Sequence, residues 1–181
     1  SGLTLSNLVL RGGDGNDLLI GGGLNDSILG GNGNDTIRGS GGNDVLDGGT
    51  GFNTLRELTN GDLTLTATQL VGTISGTDRI ANFSSASLEG LSGANRLDAS
   101  GFTDPVSLIG NGGNDTLIGS ALEDFIDAGD GDDSVDAGAG NDSVRAGDGN
   151  DSVVGGLGND SLFGQGGNDV FVWLEGAGND S

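Results

Sequence analysis

The sequence predicts an all-β solenoid in which short strands stack in parallel coils. Three observations lead there: an apolar residue at every ninth place, glycine and aspartate in fixed phase with it, and too few apolar side chains for an ordinary globular core. Glycine makes up 40 of the 181 residues, hydrophobic residues 33% and aromatics 4%. Such a balance also fits collagen or low-complexity disorder. Glycine does not recur every third residue and Pro105 is the only proline, which excludes collagen. Disorder competes on the low hydrophobicity and the net charge of -21, but simple disorder does not hold an apolar residue in phase over many repeats.

Residues 1–11 read as a lead-in strand. From Gly12 the chain runs in steps of nine as GGDGNDLLI, GGGLNDSIL, GGNGNDTIR, GSGGNDVLD and GGTGFNTLR, ending at Arg56. The register returns at Gly110 with GNGGNDTLI, GSALEDFID, AGDGDDSVD, AGAGNDSVR, AGDGNDSVV, GGLGNDSLF and GQGGNDVFV, ending at Val172. A partial unit, EGAGNDS, follows Trp173 and Leu174. These are twelve full nonapeptides in two blocks, 12–56 and 110–181. Position six is Asp in eleven of them: Asp17, Asp26, Asp35, Asp44, Asp115, Asp124, Asp133, Asp142, Asp151, Asp160 and Asp169, with Asn53 the exception. Position eight is always apolar, as Leu19, Ile28, Ile37, Leu46, Leu55, Leu117, Ile126, Val135, Val144, Val153, Leu162 and Phe171.

The period has a physical reading. Positions seven to nine form a short strand whose middle residue points inward. Glycines at positions one, two and four allow the tight turn, since glycine alone takes positive φ without strain. Two nonapeptides then make one coil with a strand on each side, and coils stack about 4.8 Å apart. The core is a thin ladder of Leu, Ile and Val, too little burial on its own to offset the ordering of the chain.

Stacking sets equivalent turns above one another. One edge is expected to carry Asp17, Asp35 and Asn53, then Asp115, Asp133, Asp151 and Asp169. The other is expected to carry Asp26 and Asp44, then Asp124, Asp142 and Asp160. Each edge is a row of like charges roughly 5 Å apart, strongly repulsive unless a cation lies between them. Composition narrows the cation. Acidic residues number 27 against 6 basic ones, all arginine, so the chain repels nucleic acid and anionic membrane and attracts cations. Cysteine and histidine are absent, which removes disulfides, the commonest transition-metal ligand and the commonest general base. Carboxylate and carbonyl oxygens remain; six or more at about 2.3–2.6 Å suit Ca²⁺ better than Mg²⁺.

The phased GGxGxD motif with its apolar eighth residue resembles the RTX (repeats-in-toxin) family, the haemolysin-type calcium-binding repeats of type I-secreted proteins, over residues 12–56 and 110–172. With that resemblance the expected fold is a right-handed parallel β-roll/β-helix solenoid, two RTX blocks joined by a calcium-poor β-helical segment. In the family, calcium ions lie between adjacent turns. Carried over, the resemblance implies ligands at the eleven aspartates above and carbonyl ligands at Gly13, Gly15, Gly31, Gly33, Gly129, Gly131, Gly138, Gly140, Gly147 and Gly149. A single copy would be read as a solvated Asp-Gly or Asn-Gly turn; stacked copies favour calcium. Sites are expected to be incomplete beside neutral Asn53, beside Leu24 in place of a fourth glycine, and beside GSALEDFID (119–127), which lacks the second and fourth glycines. The resemblance further implies export before folding: expanded in calcium-poor cytosol, folded outside, because metal that binds only the folded state supplies folding free energy. The expected location is secreted, extracellular or cell-surface.

Residues 57–109 break the period. Leu63–Thr68, Arg79–Phe83, Ala86–Leu91 and Val106–Ile109 alternate like half-buried strands, and Asn95–Phe102 is strand-compatible. The expectation is a calcium-poor stretch of about three wider coils joining the two rolls, with an inserted subdomain as the alternative. Phe83 and Phe102 are expected in the core.

No signal peptide and no apolar run long enough to span a bilayer is visible. The missing initial methionine and the stop inside a repeat suggest a piece of a longer protein. Catalysis finds no support: His, Cys and Lys are absent, removing the usual base beside a nucleophile, and Glu57, Glu89, Glu123 and Glu175 form no evident glycosidase-like pair. The expected function is a non-catalytic calcium-binding module. Two other classes stay open: a subunit of an extracellular surface layer, matrix or filament, and a carbohydrate- or surface-binding module attached to a secreted enzyme. The latter would use outward rows such as Ser134, Ser152 and Ser143, Ser161. Trp173 is expected near the C-terminal end of the roll.

Overall fold

The computed structural model describes residues 6–173 and 178–181. Part of the lead-in (1–5) and residues 174–177, including Glu175 of the partial repeat, lie outside the described residues. The first block forms β1 (Val9–Asp14), β2 (Leu18–Ile20), β3 (Ser27–Asn32), β4 (Thr36–Arg38), β5 (Val45–Thr50) and β6 (Thr54–Thr59). The middle forms β7 (Leu63–Thr66), β8 (Gln69–Gly72), β9 (Gly76–Ala81), β10 (Ser85–Gly90), β11 (Arg96–Gly101) and β12 (Val106–Ile109). The second block adds β13 (Thr116–Ile118), β14 (Phe125–Asp130), β15 (Ser134–Asp136), β16 (Ser143–Asp148), β17 (Ser152–Val154), β18 (Ser161–Gly166) and β19 (Val170–Val172). No helix occurs among the described residues. Three-residue strands coincide with positions seven to nine; the six-residue strands of the repeat blocks run on into the first three residues of the following segment.

Successive strands alternate between two sheets, so each coil contributes one strand to each. The first sheet runs β1-β3-β5-β9-β8-β7-β11-β13-β15-β17-β19 and the second β18-β16-β14-β12-β10-β6-β4-β2. All pairings are parallel except those of β8, which is antiparallel to both β7 and β9. The fold is thus the expected parallel β-roll with one local reversal. After β6 the chain overshoots in the first sheet as β7, turns back as β8, and turns again as β9 into the place beside β5. β10 and β12 then continue the second sheet from β6. The middle therefore supplies two coils and a hairpin excursion instead of three plain coils. The sequence pattern does not mark β8, and the other middle strands lie where alternation places them.

The position-eight ladder forms the core. Ile28 stacks on Leu46, Ile37 on Leu55, and Leu117 on Val135 and then Val153, all buried, while Leu19 and Phe171 at the ends are partly covered. Phe83 and Phe102 are buried as expected. The ladder steps sideways at β10: Ala86 faces Leu55, whereas Leu88 faces Leu108 and brings Glu57 inward opposite it. Glu57 is buried and pairs with Arg38 at 3.4 Å. The serine rows lie on opposite sheets, Ser134 beside Ser152 and Ser143 beside Ser161. Trp173 is exposed, with its ring 6.5 Å from that of Phe171.

Candidate metal centre

The turns of the roll stack into two columns, and their membership corrects the expected grouping. Turns leaving the first sheet for the second carry Asp17, Asp35 and Asn53, then Asp124, Asp142 and Asp160. Turns crossing back carry Asp26 and Asp44, then Asp115, Asp133, Asp151 and Asp169. The two halves of each expected edge are exchanged because the chain advances an odd number of half-coils from the Asp17 turn before β2 to the Asp115 turn before β13, which puts them on opposite edges; the β8 reversal leaves that phase unchanged.

Within each column one carboxylate oxygen has a fixed task. Asp35 Oδ1 accepts the backbone N–H of Asp17 at 2.9 Å, eighteen residues earlier. The same bond joins Asp26 to Asp44 (2.7 Å), Asp115 to Asp133 (2.7 Å), Asp133 to Asp151 (2.8 Å), Asp151 to Asp169 (3.1 Å), Asp124 to Asp142 (2.8 Å) and Asp142 to Asp160 (2.9 Å). Asn53 serves Asp35 equally well through its amide oxygen at 2.9 Å. The bond therefore explains an Asp or Asn at position six without explaining the charge. Asp180 of the partial unit takes the next place, accepting from Asp160 at 2.9 Å.

The second oxygen explains it. Oδ2 of Asp17, Asp35, Asp44, Asp115, Asp133, Asp142, Asp151 and Asp160 is buried with no hydrogen-bond partner. A buried carboxylate oxygen without a donor is costly, and here it recurs at eight of the eleven repeat aspartates. The carbonyls of Gly15, Gly33, Gly131, Gly140 and Gly149 at position four also accept no hydrogen bond among the described residues. Gly13 stacks on Gly31 and Gly129 on Gly147 within the strand ladders, and the Gly138 carbonyl already accepts the Leu157 N–H at 2.9 Å. No three carboxylates converge at one point among the described residues. An ion held between turns would thus draw on one or two carboxylates and several carbonyls, an oxygen set that fits Ca²⁺.

Asp26 and Asp124 are the exceptions. Oδ2 of Asp26 accepts the Gly22 N–H at 2.6 Å, and Oδ2 of Asp124 accepts the Ser120 N–H at 2.6 Å. These are the repeats with Leu24 and Leu122 at position four. Elsewhere the second and fourth residues are left-handed, as at Gly13 and Gly15 with φ of 106° and 114°. A leucine resists that region, so the turn relaxes and its own amide satisfies the aspartate.

Electrostatics agree with an incomplete site. Burial raises the carboxyls of Asp44, Asp115, Asp151 and Asp160 above the ordinary range. Burial pushes Asp133 up to about 6 and Asp142 to about 7, with the neighbouring aspartates of the column adding to the effect against the pull of one backbone N–H. These groups favour a proton or a cation over bare charge.

Two features escape the sequence pattern. Residues 73–81, TISGTDRIA, form a turn and strand in repeat register: Asp44 N–H donates to Asp78 Oδ1 at 2.9 Å across 34 residues, and Ile80 is buried. Residues 90–98 do likewise, with Asn95 N–H donating to Asp115 Oδ1 at 2.7 Å. The faint signal is glycine two residues before Asp or Asn and an apolar residue two after. The other feature is a position-five ladder, in which the Asn16 side chain accepts the Asn34 N–H at 2.8 Å and Asn25 accepts that of Asn43 at 2.9 Å.

No curated protein sequence matches the chain. Ten chains of solved structures resemble it, among them the extracellular lipase LipA from Serratia marcescens, at 26% identity and a TM-score of 0.40 over 93% of this chain. The chain spans 33% of that lipase. The family of the RTX calcium-binding nonapeptide repeat matches in four copies, over residues 9–28, 20–55, 109–144 and 145–172. Those spans cover more than half of the sequence and coincide with the two stacks of unpartnered aspartates, so the chain belongs to the RTX calcium-binding nonapeptide repeat family.

Proposed function

We propose that the chain is an extracellular calcium-binding module that folds on Ca²⁺ after secretion and plays a structural, non-catalytic role. The blocks 12–56 and 110–181 would carry the ions, and 57–109 would join them. The observation that supports this most is the row of buried Oδ2 atoms without partners. The ligands would be Oδ2 of Asp17, Asp35, Asp44, Asp115, Asp133, Asp142, Asp151 and Asp160, Asp169 at the column end, and the position-four carbonyls. Asp26 and Asp124 would be weak members, their second oxygens being already held. When bound, calcium supplies the positive charge that the stacked carboxylates lack; the chain's own contribution is to hold those oxygens in register.

At neutral pH, without the ion, a net charge of -21 and the thin apolar ladder work against the coil stack. With millimolar calcium outside the cell, binding to the folded state alone would stabilise it. The test is a calcium titration of the metal-stripped protein by far-UV circular dichroism, with magnesium as control. A cooperative transition to β structure with Ca²⁺ and not Mg²⁺ is expected. Native-like β structure in excess chelator at pH 7 would refute the proposal.

A further inference from the structure

The turn at 73–78 lies outside the repeat blocks, yet it stacks on the Asp44 turn as a repeat would. Gly42 N–H donates to the Ser75 carbonyl at 2.9 Å, Thr77 N–H to the Asn43 side chain at 2.8 Å, and Arg79 N–H to the Asp44 carbonyl at 2.9 Å. Asp78 thereby becomes the next member of the column after Asp44. Both residues are 1% exposed, and Oδ2 of each is buried without a partner. Both oxygens also approach the same point. They lie 2.5 and 3.1 Å from the point where a Cβ on Gly39 would stand. At Gly39 two column carboxylates thus stand among the nearest atoms.

No hydrogen bond reaches either oxygen among the described residues. Glu57 is close, but Oε2 accepts the Ser40 N–H at 3.2 Å, and Oε1 accepts the Leu58 N–H at 3.1 Å and pairs with Arg38. It adds negative potential without offering a free oxygen. The Gly42 carbonyl, over which Gly76 stacks, accepts no hydrogen bond among the described residues. Two buried, unpartnered carboxylate oxygens drawn to the same spot, with a free carbonyl alongside, favour a cation or a proton over bare charge.

We propose that Asp44 and Asp78 form a further site for a hard divalent cation of the calcium type, built by the hairpin segment outside the repeat blocks. The proposal rests on the calcium-binding reading of the repeats and extends it into a segment whose sequence lacks the motif. The hairpin then folds as part of the first calcium stack, since one of its own residues completes the ion's ligands.

The test counts bound Ca²⁺ on the full chain by native mass spectrometry at saturating calcium, with circular dichroism as the check of folding. Asp78→Asn keeps the amide oxygen that the Asp44 N–H needs, as Asn53 does for Asp35, so the roll should still form. It is expected to bind one ion fewer than the unaltered chain. Asp62→Asn is the control: Asp62 is exposed and accepts the Arg96 N–H at 2.9 Å, and its loss should leave the count unchanged. An Asp78→Asn protein that retains every ion overturns the site. If that variant does not fold, Asp78→Glu is measured instead; it should raise the calcium midpoint of folding at least threefold, and an unchanged midpoint overturns the site. An unaltered chain that binds no calcium would refute the general proposal, an outcome distinct from either.

Discussion

Replacing Asp133 by asparagine separates the two tasks of a column aspartate. The substituted amide would keep the oxygen that accepts the Asp115 N–H at 2.7 Å, and the backbone N–H of the same residue would still reach Asp151 Oδ1 at 2.8 Å. What changes is the buried, unpartnered Oδ2 and its charge. Burial and the neighbouring aspartates raise Asp133 from 3.8 to about 6. At about 1.36 kcal/mol per pKa unit the charge costs the metal-free fold at most about 3 kcal/mol at pH 7. Solvent close to the turn reduces this to about 1.5 kcal/mol. Without calcium, Asp133→Asn should therefore stabilise the roll by about that amount. In calcium the sign reverses. An ion at about 10 to 100 times its dissociation constant contributes about 1.4–2.7 kcal/mol. Asp133 borders two gaps of its column, so the variant forfeits about 3–5 kcal/mol of binding and, after the gain of about 1.5 kcal/mol, should be less stable by about 1–4 kcal/mol. The assay is circular dichroism in two series: trimethylamine oxide titration in chelator, and urea denaturation in calcium. A change of the same sign in both series would refute this division of labour.

Leu24→Gly should free Asp26 Oδ2 from the Gly22 amide and add one bound ion, raising stability in calcium by about 1.4–2.7 kcal/mol; calorimetric titration against the parent chain reads it. Gly31→Ala should cost well over about 2 kcal/mol, because its φ of 120° is strained for alanine and the methyl would run into the Gly13 carbonyl. Gly13→Ala, with φ of 106° but open space around the methyl, should cost only the strain of about 1–2 kcal/mol, and urea midpoints compare the two. Proton dependence follows from the raised carboxyls of Asp133, Asp142 and Asp78, at about 6, 7 and 7. A raised folded-state value means the fold binds the proton more tightly than the coil. The metal-free roll should thus be most stable below about pH 4 and lose that contribution as pH rises through about 6 to 7. Calcium affinity should move the opposite way, weakening as pH falls through the same window, and β content at fixed low calcium across about pH 4–8 checks both.

The repeats make the inward residues legible, since a nine-residue period with alternating strands fixes which side chain faces the core. Position-eight residues from Ile28 to Leu162 are buried on that account. The middle is legible as strands but not as topology. Alternation has the same period in parallel and antiparallel pairs, so Leu63–Thr66 can be recognised while the reversal of Gln69–Gly72 cannot. That reversal leaves the phase of the second block unchanged; five half-coils in the first block followed by two whole coils put Asp115 on the edge opposite Asp17. Asp78 escapes notice because TISGTD keeps only the fourth glycine and the aspartate. The self-satisfied state of Asp26 and Asp124 depends on backbone angles at Gly22, Leu24, Ser120 and Leu122, and the sequence marks those turns as irregular without saying where their amides point.

The hairpin also bears on the line of the rod. Between β5 and β11 the first sheet holds three strands, whereas the second holds only β10 between β6 and β12. Two surplus strands at about 4.8 Å each lengthen one side by about 10 Å. A stack longer on one side than the other is a keystone, and its axis turns toward the shorter side. The two repeat stacks are therefore expected to meet at an angle, so that the direction in which either end points is set by a short excursion that bears none of the repeat motif.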